Sequence, residues 1–341
     1  MTRRRNIKNR SVLLASILII SIIISGCSTK NSDESSENIK NVLTTSSIIP
    51  KEEKYISSDL DDSWTTLSDI TTIKLQDNAT VIDGDGVDSS DNIITISQAG
   101  NYLISGTLTN GSVVVKADST SNIKIIFNGV SIKNNSGSAI DIQEADKVVI
   151  TLAKNSKNNL EDGEQYKNIS SDSADATLYS NSDLTINGDG LLKVICHYKD
   201  AIKTKDDLVI INGSYNITSK EDGLVGKESL AIKNGSFTIN AGQDAIKSNH
   251  ANETTKGWIS IDGGIFNLNA KNDAIQAQTD LEINDGTFDI TTGNGSSEII
   301  AKMKQAIPSM PPMVQGENNN SAQPEPPSSM KKMIQKNYQD Q

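Results

Sequence analysis

The sequence predicts an all-β fold, a right-handed parallel β-helix, and three observations carry that prediction. One phrase recurs along the chain, apolar residues alternate at period two, and proline is absent between residues 51 and 307. The phrase reads L-x-I-x-x-G-x-F-x-I, then a loop, then D-A-I. It occurs as LVIINGSYNITSKEDGL (208–224), LAIKNGSFTINAGQDAI (230–246), ISIDGGIFNLNAKNDAI (259–275) and the half-unit LEINDGTFDI (281–290). LTINGDGLLKVICHYKDAI (184–202) belongs to the same set with small insertions. Alternation at period two means strand: Leu208 and Ile210 share a face, as do Tyr215 and Ile217. A unit of two or three short strands buries its apolar side only by stacking on copies of itself, which is the solenoid solution. Proline lacks the ladder donor, so a proline-free region with many Asn-Gly and Asp-Gly turns suits dense strand pairing.

In chain order, residues 1–27 read as a lipoprotein signal peptide. MTRRRNIKNR is a basic segment, SVLLASILIISIII is an apolar one, and Ile24-Ser25-Gly26-Cys27 has the form of a lipobox. Cleavage before Cys27 and its lipidation would place the protein on the extracytoplasmic face of the cell membrane; a plain transmembrane anchor is the alternative. Residues 28–62 are expected to be a flexible tether. The β-helix is expected over 63–296, with less regular early coils behind a cap from about Ser63. Residues 297–341, rich in Pro, Met and Asn, have the composition of a disordered tail.

Charge excludes one class of partner. Five of the 32 Lys and Arg residues and no acid lie in 1–27, leaving 27 positive against 43 negative residues and a net charge of −16. Nucleic acid is therefore not an expected partner, whereas cation binding fits. Cys196 is the one cysteine after Cys27, so no internal disulfide or thiolate cluster forms. His197 and His250 stand 53 residues apart, in loops of different coils, and support neither a histidine metal site nor a catalytic triad.

Adjacent coils lie about 4.8 Å apart, so equivalent repeat positions form columns. Leu192, Tyr215, Phe237, Phe266 and Phe288 form one, sharing a face with Val194, Ile217, Ile239, Leu268 and Ile290. The pairing of rings with aliphatics marks it as core rather than as a sugar-stacking platform. A second column contains Asp175, Asp200, Asp222, Asp244 and Asp273. Unit charges about 5 Å apart repel by roughly 3 kcal/mol at an effective dielectric near 20. Such a row either raises its own pKa values or recruits a cation. Hard, flexibly spaced oxygens suit calcium (Ca2+), with Asp206 and Glu228 close by in sequence. In the alternative, each aspartate makes a turn or caps a coil. Lys203 and Lys247 each follow an aspartate by three; a desolvated lysine beside a bound metal could act as a base, or these lysines are simply partners of the acids.

GNYLISGTLTNGSVVV, IIFNGVSI, ADKVVITLA, KDDLVIING, DGLVGKESLAIKNG and DAIQAQTDLEI together resemble, in order and spacing, the calcium-binding, carbohydrate-binding β-helix proteins of bacterial cell surfaces, which are relatives in shape of the pectate lyases. The resemblance covers about 64–293. It implies a parallel β-helix, bound calcium held by the aspartates of the D-A-I and D-G-L phrases, and binding of cellulose or an acidic, pectin-like polysaccharide such as polygalacturonate. Gln278 stands where an acid is expected. The alternative activity is a calcium-dependent polysaccharide lyase acting by β-elimination, with Lys247, or next Lys203, as the base.

Overall fold

The computed structural model describes residues 49, 54–167, 173–250 and 252–293. The signal peptide with Cys27, most of the expected tether and the tail lie outside them. The described chain is a parallel β-helix with three faces per coil. The first face stacks Ser112–Lys116, Ile140–Glu144, Ala176–Ser180, Asp200–Thr204, Leu224–Gly226, Ile246–Ser248 and Ile275–Ala277. The second stacks Lys147–Leu152, Asp183–Gly188, Asp207–Ile210, Ser229–Ile232, Trp258–Ile261 and Leu281–Ile283. The third stacks Lys157–Glu161, Leu191–Ile195, Ser214–Ser219, Ser236–Ala241, Ile265–Ala270 and Thr287–Thr292. In the earlier coils one longer strand, Gly100–Leu108 or Asn122–Lys133, covers both the second and third faces.

The repeat sets the register. Tyr215 pairs with Phe237, Phe237 with Phe266 and Phe266 with Phe288, and their rings stack at 4.8, 4.8 and 4.6 Å between centroids. Each buried ring contributes about 1.5–3 kcal/mol by burial and roughly 0.5–1.5 kcal/mol more by stacking. The column is core, as the alternation predicts. The glycine before it is required. Gly235 has φ +137°, and a Cβ there would stand 2.9 Å from the Phe237 ring. The spacing lengthens from 22 to 29 residues after Asp244 because the connection between Ser248 and Trp258 is longer than the one between Gly226 and Ser229.

Two antiparallel pairings close the N-terminal end: Ile70–Leu75 with Val81–Asp83, and Val87–Ser90 with Ile93–Ile96. The expected tether is not free throughout. Residues 54–62 run as a strap along the second face. Lys54 pairs with Asp262 at 2.7 Å and Asp59, 2% exposed, pairs with Lys147 and accepts the Thr185 hydroxyl. Lys124 donates to the carbonyls of Asp61 and Ser63 at 2.8 Å. Ile49 and Tyr55 cover Val209, Ala231 and Trp258. The outward column of that face (Val149, Thr185, Val209, Ala231) is small or apolar and needs a cover, whereas the outward column of the third face (Lys193, Asn216, Thr238, Asn267, Asp289) is polar and open to water.

Candidate functional site

The aspartate column forms where the strands of the first face begin. Asp200, Asp222 and Asp244 are 4%, 6% and 3% exposed. One oxygen of each accepts the backbone N–H of the next aspartate: Asp222 to Asp200 at 3.0 Å, Asp244 to Asp222 at 2.9 Å, and Asp273 to Asp244 at 2.9 Å. The other oxygens meet lysines. Lys203 bridges Asp175 and Asp200 at 2.8 and 2.9 Å, and Lys247 bridges Asp222 and Asp244 at 2.9 and 2.8 Å. The buried carboxylates are thus hydrogen-bonded and neutralised by the chain itself, as buried charge requires. Asp175 is not an in-register member. Leu178 faces Ile202 in the core, which sets Ala176, not Asp175, opposite Asp200. The Asp175 side chain meets the column through Lys203 and, at 3.6 Å, Lys199, and its backbone carbonyl accepts the Asp200 N–H at 3.3 Å.

These residues do not fit calcium as a resident ion. Calcium takes about six to eight oxygens. Here one oxygen of each buried carboxylate is committed to an amide, and an ammonium already supplies the positive charge between them. Among the described residues no group of three or more His, Cys, Asp or Glu is arranged to hold a metal. Asp206 and Glu228 lie at the other end of the first-face strands, separate from the column. Glu228 pairs with Lys256 at 2.6 Å, and Asp206 has its carboxyl pushed up by burial and then by the charges of Glu228 and Asp207. Next to them Asp183 is pushed up to about 6 by burial, then by the Asp207 charge.

The same geometry bears on the lysines. Burial alone would lower the Lys203 ammonium, but Asp200 and Asp175 outweigh it and hold it above the ordinary range. Lys247 is likewise raised by Asp244 and Asp222 against the pull of burial. Both keep their protons at neutral pH, the opposite of what a general base needs. Cys196 is buried, donates to Asp162 at 3.3 Å and is pushed up to about 12 by burial and the Asp162 charge.

A groove of about 700 Å³ lies elsewhere, over the first face in the early coils. Its lining includes outward residues of the strands, Ser112, Val114, Asp141 and Gln143, with Asn110 and Asn134 from the corners beside them. Gln143 donates to Asp141 at 2.8 Å, and burial raises the Asp141 carboxyl. Ile93, 46% exposed, offers an apolar surface. The volume is that of an ordinary ligand site, and amides and hydroxyls over a partly apolar floor suit sugar hydroxyls. None of these residues lies in the regular repeat, so periodicity does not single them out. The available signal is the clustering of Asn-Gly and Asn-Asn at coil corners, at Asn110-Gly111 and Asn134-Asn135.

Comparison with known proteins agrees with the fold. A carbohydrate-binding domain-containing protein from Acetivibrio thermocellus is 34% identical over 138 residues, covering 40% of this chain and 48% of the relative, so the chain spans about half that relative's length. A solved structure described as the polysaccharide lyase-like protein from C. thermocellum, a gadolinium derivative, aligns with a TM-score of 0.59 and 28% identity. The alignment covers 64% of this chain and 99% of that one. The family described as carbohydrate-binding domain-containing protein matches residues 90–332, which is most of the chain, and the protein belongs to that family.

Proposed function

We propose that this is a surface lipoprotein, anchored in the cell membrane through Cys27, that binds polysaccharide in the groove over the first face without cleaving it. The observation that carries the reading is the groove: a cavity of about 700 Å³ lined by Asn110, Asn134, Gln143 and Ser112, in a chain of a carbohydrate-binding family. Amides and hydroxyls match neutral sugar hydroxyls, as in cellulose. Asp91 and Asp141 also line it, with Lys167 as the cation, so a uronate chain such as polygalacturonate meets net negative charge there. For that substrate calcium would be shared between these acids and the sugar carboxylates; the aspartate column would take no part.

The soluble chain from Ser28 is tested for binding to a neutral β-glucan and to polygalacturonate, each with calcium and with excess chelator. The reading expects glucan binding in both conditions and polygalacturonate binding with calcium alone. It expects a flat trace for the ultraviolet absorbance of unsaturated uronate. Binding of neither polymer overturns the reading, and a rising trace replaces it with the lyase. Lipid labelling lost in Cys27→Ala tests the anchor.

A further inference from the structure

In the later coils the three faces offer different surfaces. The strap covers part of the second, and the first carries the aspartates and their lysines. The third is open and nearly free of charge. Its strands SYNITS (214–219), SFTINA (236–241), IFNLNA (265–270) and TFDITT (287–292) turn every second residue outward. Asn216, Thr238 and Asn267 form one exposed column, and Thr218, Asn240 and Asn269 form the next. Among these outward positions Asp289 is the one charge and Ile265 the one large apolar side chain. Earlier strands of the same face carry Lys133, Glu161 and Lys193, so the neutral patch begins at Ser214. Ordinary surfaces are about 25–35% charged, and 22% of this whole chain is, so a neutral patch of this extent is a departure.

The patch is also flat. The rings beneath it, Tyr215, Phe237, Phe266 and Phe288, are inclined to one another by 4°, 2° and 4° from coil to coil. Neighbouring strands of an ordinary sheet rotate by about 20–25°. Pairing runs in continuous register through all six residues of each strand. Outward side chains therefore recur about every 4.8 Å along the axis and about every 7 Å along the strand, over roughly 20 by 20 Å. Asn269 donates to Asn240 at 3.3 Å, which ties neighbouring amides together.

We propose that this face is a second carbohydrate-binding surface, which lies flat on the ordered surface of an insoluble, uncharged polysaccharide. Its composition selects that partner. With one acid and no base it offers nothing to a charged polymer, and with one large apolar residue it lacks the anchors of a protein interface. Amides and hydroxyls both donate and accept, as sugar hydroxyls do. The strands fix their spacing and threonine is stiff at χ1, so little ordering is needed on contact. A plane cannot enclose one dissolved chain as a groove does. It can meet many chains packed side by side, where weak contacts sum. The family match at residues 90–332 spans this face. The inference rests on that membership and not on the groove, which lies over another face and in earlier coils.

The test is co-sedimentation of the chain from Ser28 with microcrystalline cellulose, set beside binding of a soluble β-glucan. The double variant Asn216→Lys and Asn269→Lys places two hydrated ammoniums on the patch, two coils apart, at exposed positions that leave the core unchanged. It should melt with the parent, lose co-sedimentation by at least about tenfold and keep its binding of soluble glucan. Val114→Trp, in the groove, should do the reverse. Co-sedimentation that is lost in Val114→Trp and kept in the lysine variant overturns the proposal, as does a parent that stays in solution or a lysine variant that sediments with cellulose like the parent. A parent that is a dimer in solution, and a monomer in the lysine variant, also overturns it by assigning the face to a second copy. A parent that sediments with cellulose but binds no soluble glucan supports the face and refutes the groove, so the two readings fail separately.

Discussion

Replacing Lys247 by methionine keeps the length of the side chain and removes the ammonium that bridges Asp222 and Asp244. Two charge-assisted hydrogen bonds, at 2.9 and 2.8 Å, disappear. Two carboxylates that are 6% and 3% exposed are then left without their shared cation. At about 5 Å and an effective dielectric near 20 they repel by roughly 3 kcal/mol. The Lys247 side chain is 16% exposed, so water can follow the ammonium out and soften the loss. A net destabilisation of about 2–3 kcal/mol remains, which lowers the melting temperature by roughly 5–10 °C in a domain of this size. Calcium should raise the melting temperature of the variant, by entering the vacated place, and leave the parent unchanged. Thermal melting of both proteins, with calcium and with chelator, measures both effects. A variant that melts with the parent, or a parent that calcium stabilises as much as the variant, refutes the assignment of the lysines as the counter-charge of the column.

Other substitutions test other parts of the molecule. Asp183, pushed up to about 6 by burial and then by Asp207, costs stability above that pH, and the cost is relieved as pH falls toward 4. Asp183→Asn keeps the acceptor for the Asp207 N–H and should melt higher than the parent at pH 7, with the gap closing near pH 4. Phe237→Ala opens a cavity between Tyr215 and Phe266 and should cost about 3–5 kcal/mol in denaturant unfolding. Asp59→Ala deprives half-buried Lys147 and buried Thr185 of their partner and should release the strap, so that limited proteolysis cuts at Lys54 faster while the coils stay resistant.

The fold was readable because its driving forces repeat. The L-x-I and F-x-I phrases pin the inward positions of two faces, Asn-Gly or Asp-Gly marks the turn before each ring, and Tyr215, Phe237, Phe266 and Phe288 fall on one line as their spacing requires. The aspartates were equally visible as a column, but what they hold was not. Whether a carboxylate faces a cation from solution or an ammonium three residues along the strand depends on side-chain direction, which a period of 22 residues does not encode. Asp175 shows a smaller form of the same limit. The D-A dipeptide suggested one register, and the burial of Leu178 opposite Ile202 imposed another. The strap was missed because residues 28–62 are polar in bulk; its signal lay instead in Val209 and Ala231, outward positions too apolar to face water. The groove was missed because it occupies the early coils, where the repeat is weakest.

The most direct test of the account is a binding isotherm for a neutral β-glucan with the chain from Ser28 and its Val114→Trp variant. Val114 points outward from the groove floor, so the indole fills the cavity without touching the core or the aspartate column. The account predicts that the parent binds, that the variant loses binding by at least about tenfold, roughly 1.4 kcal/mol, and that both melt at the same temperature. Equal binding by parent and variant, at equal stability, would contradict the groove as the polysaccharide site.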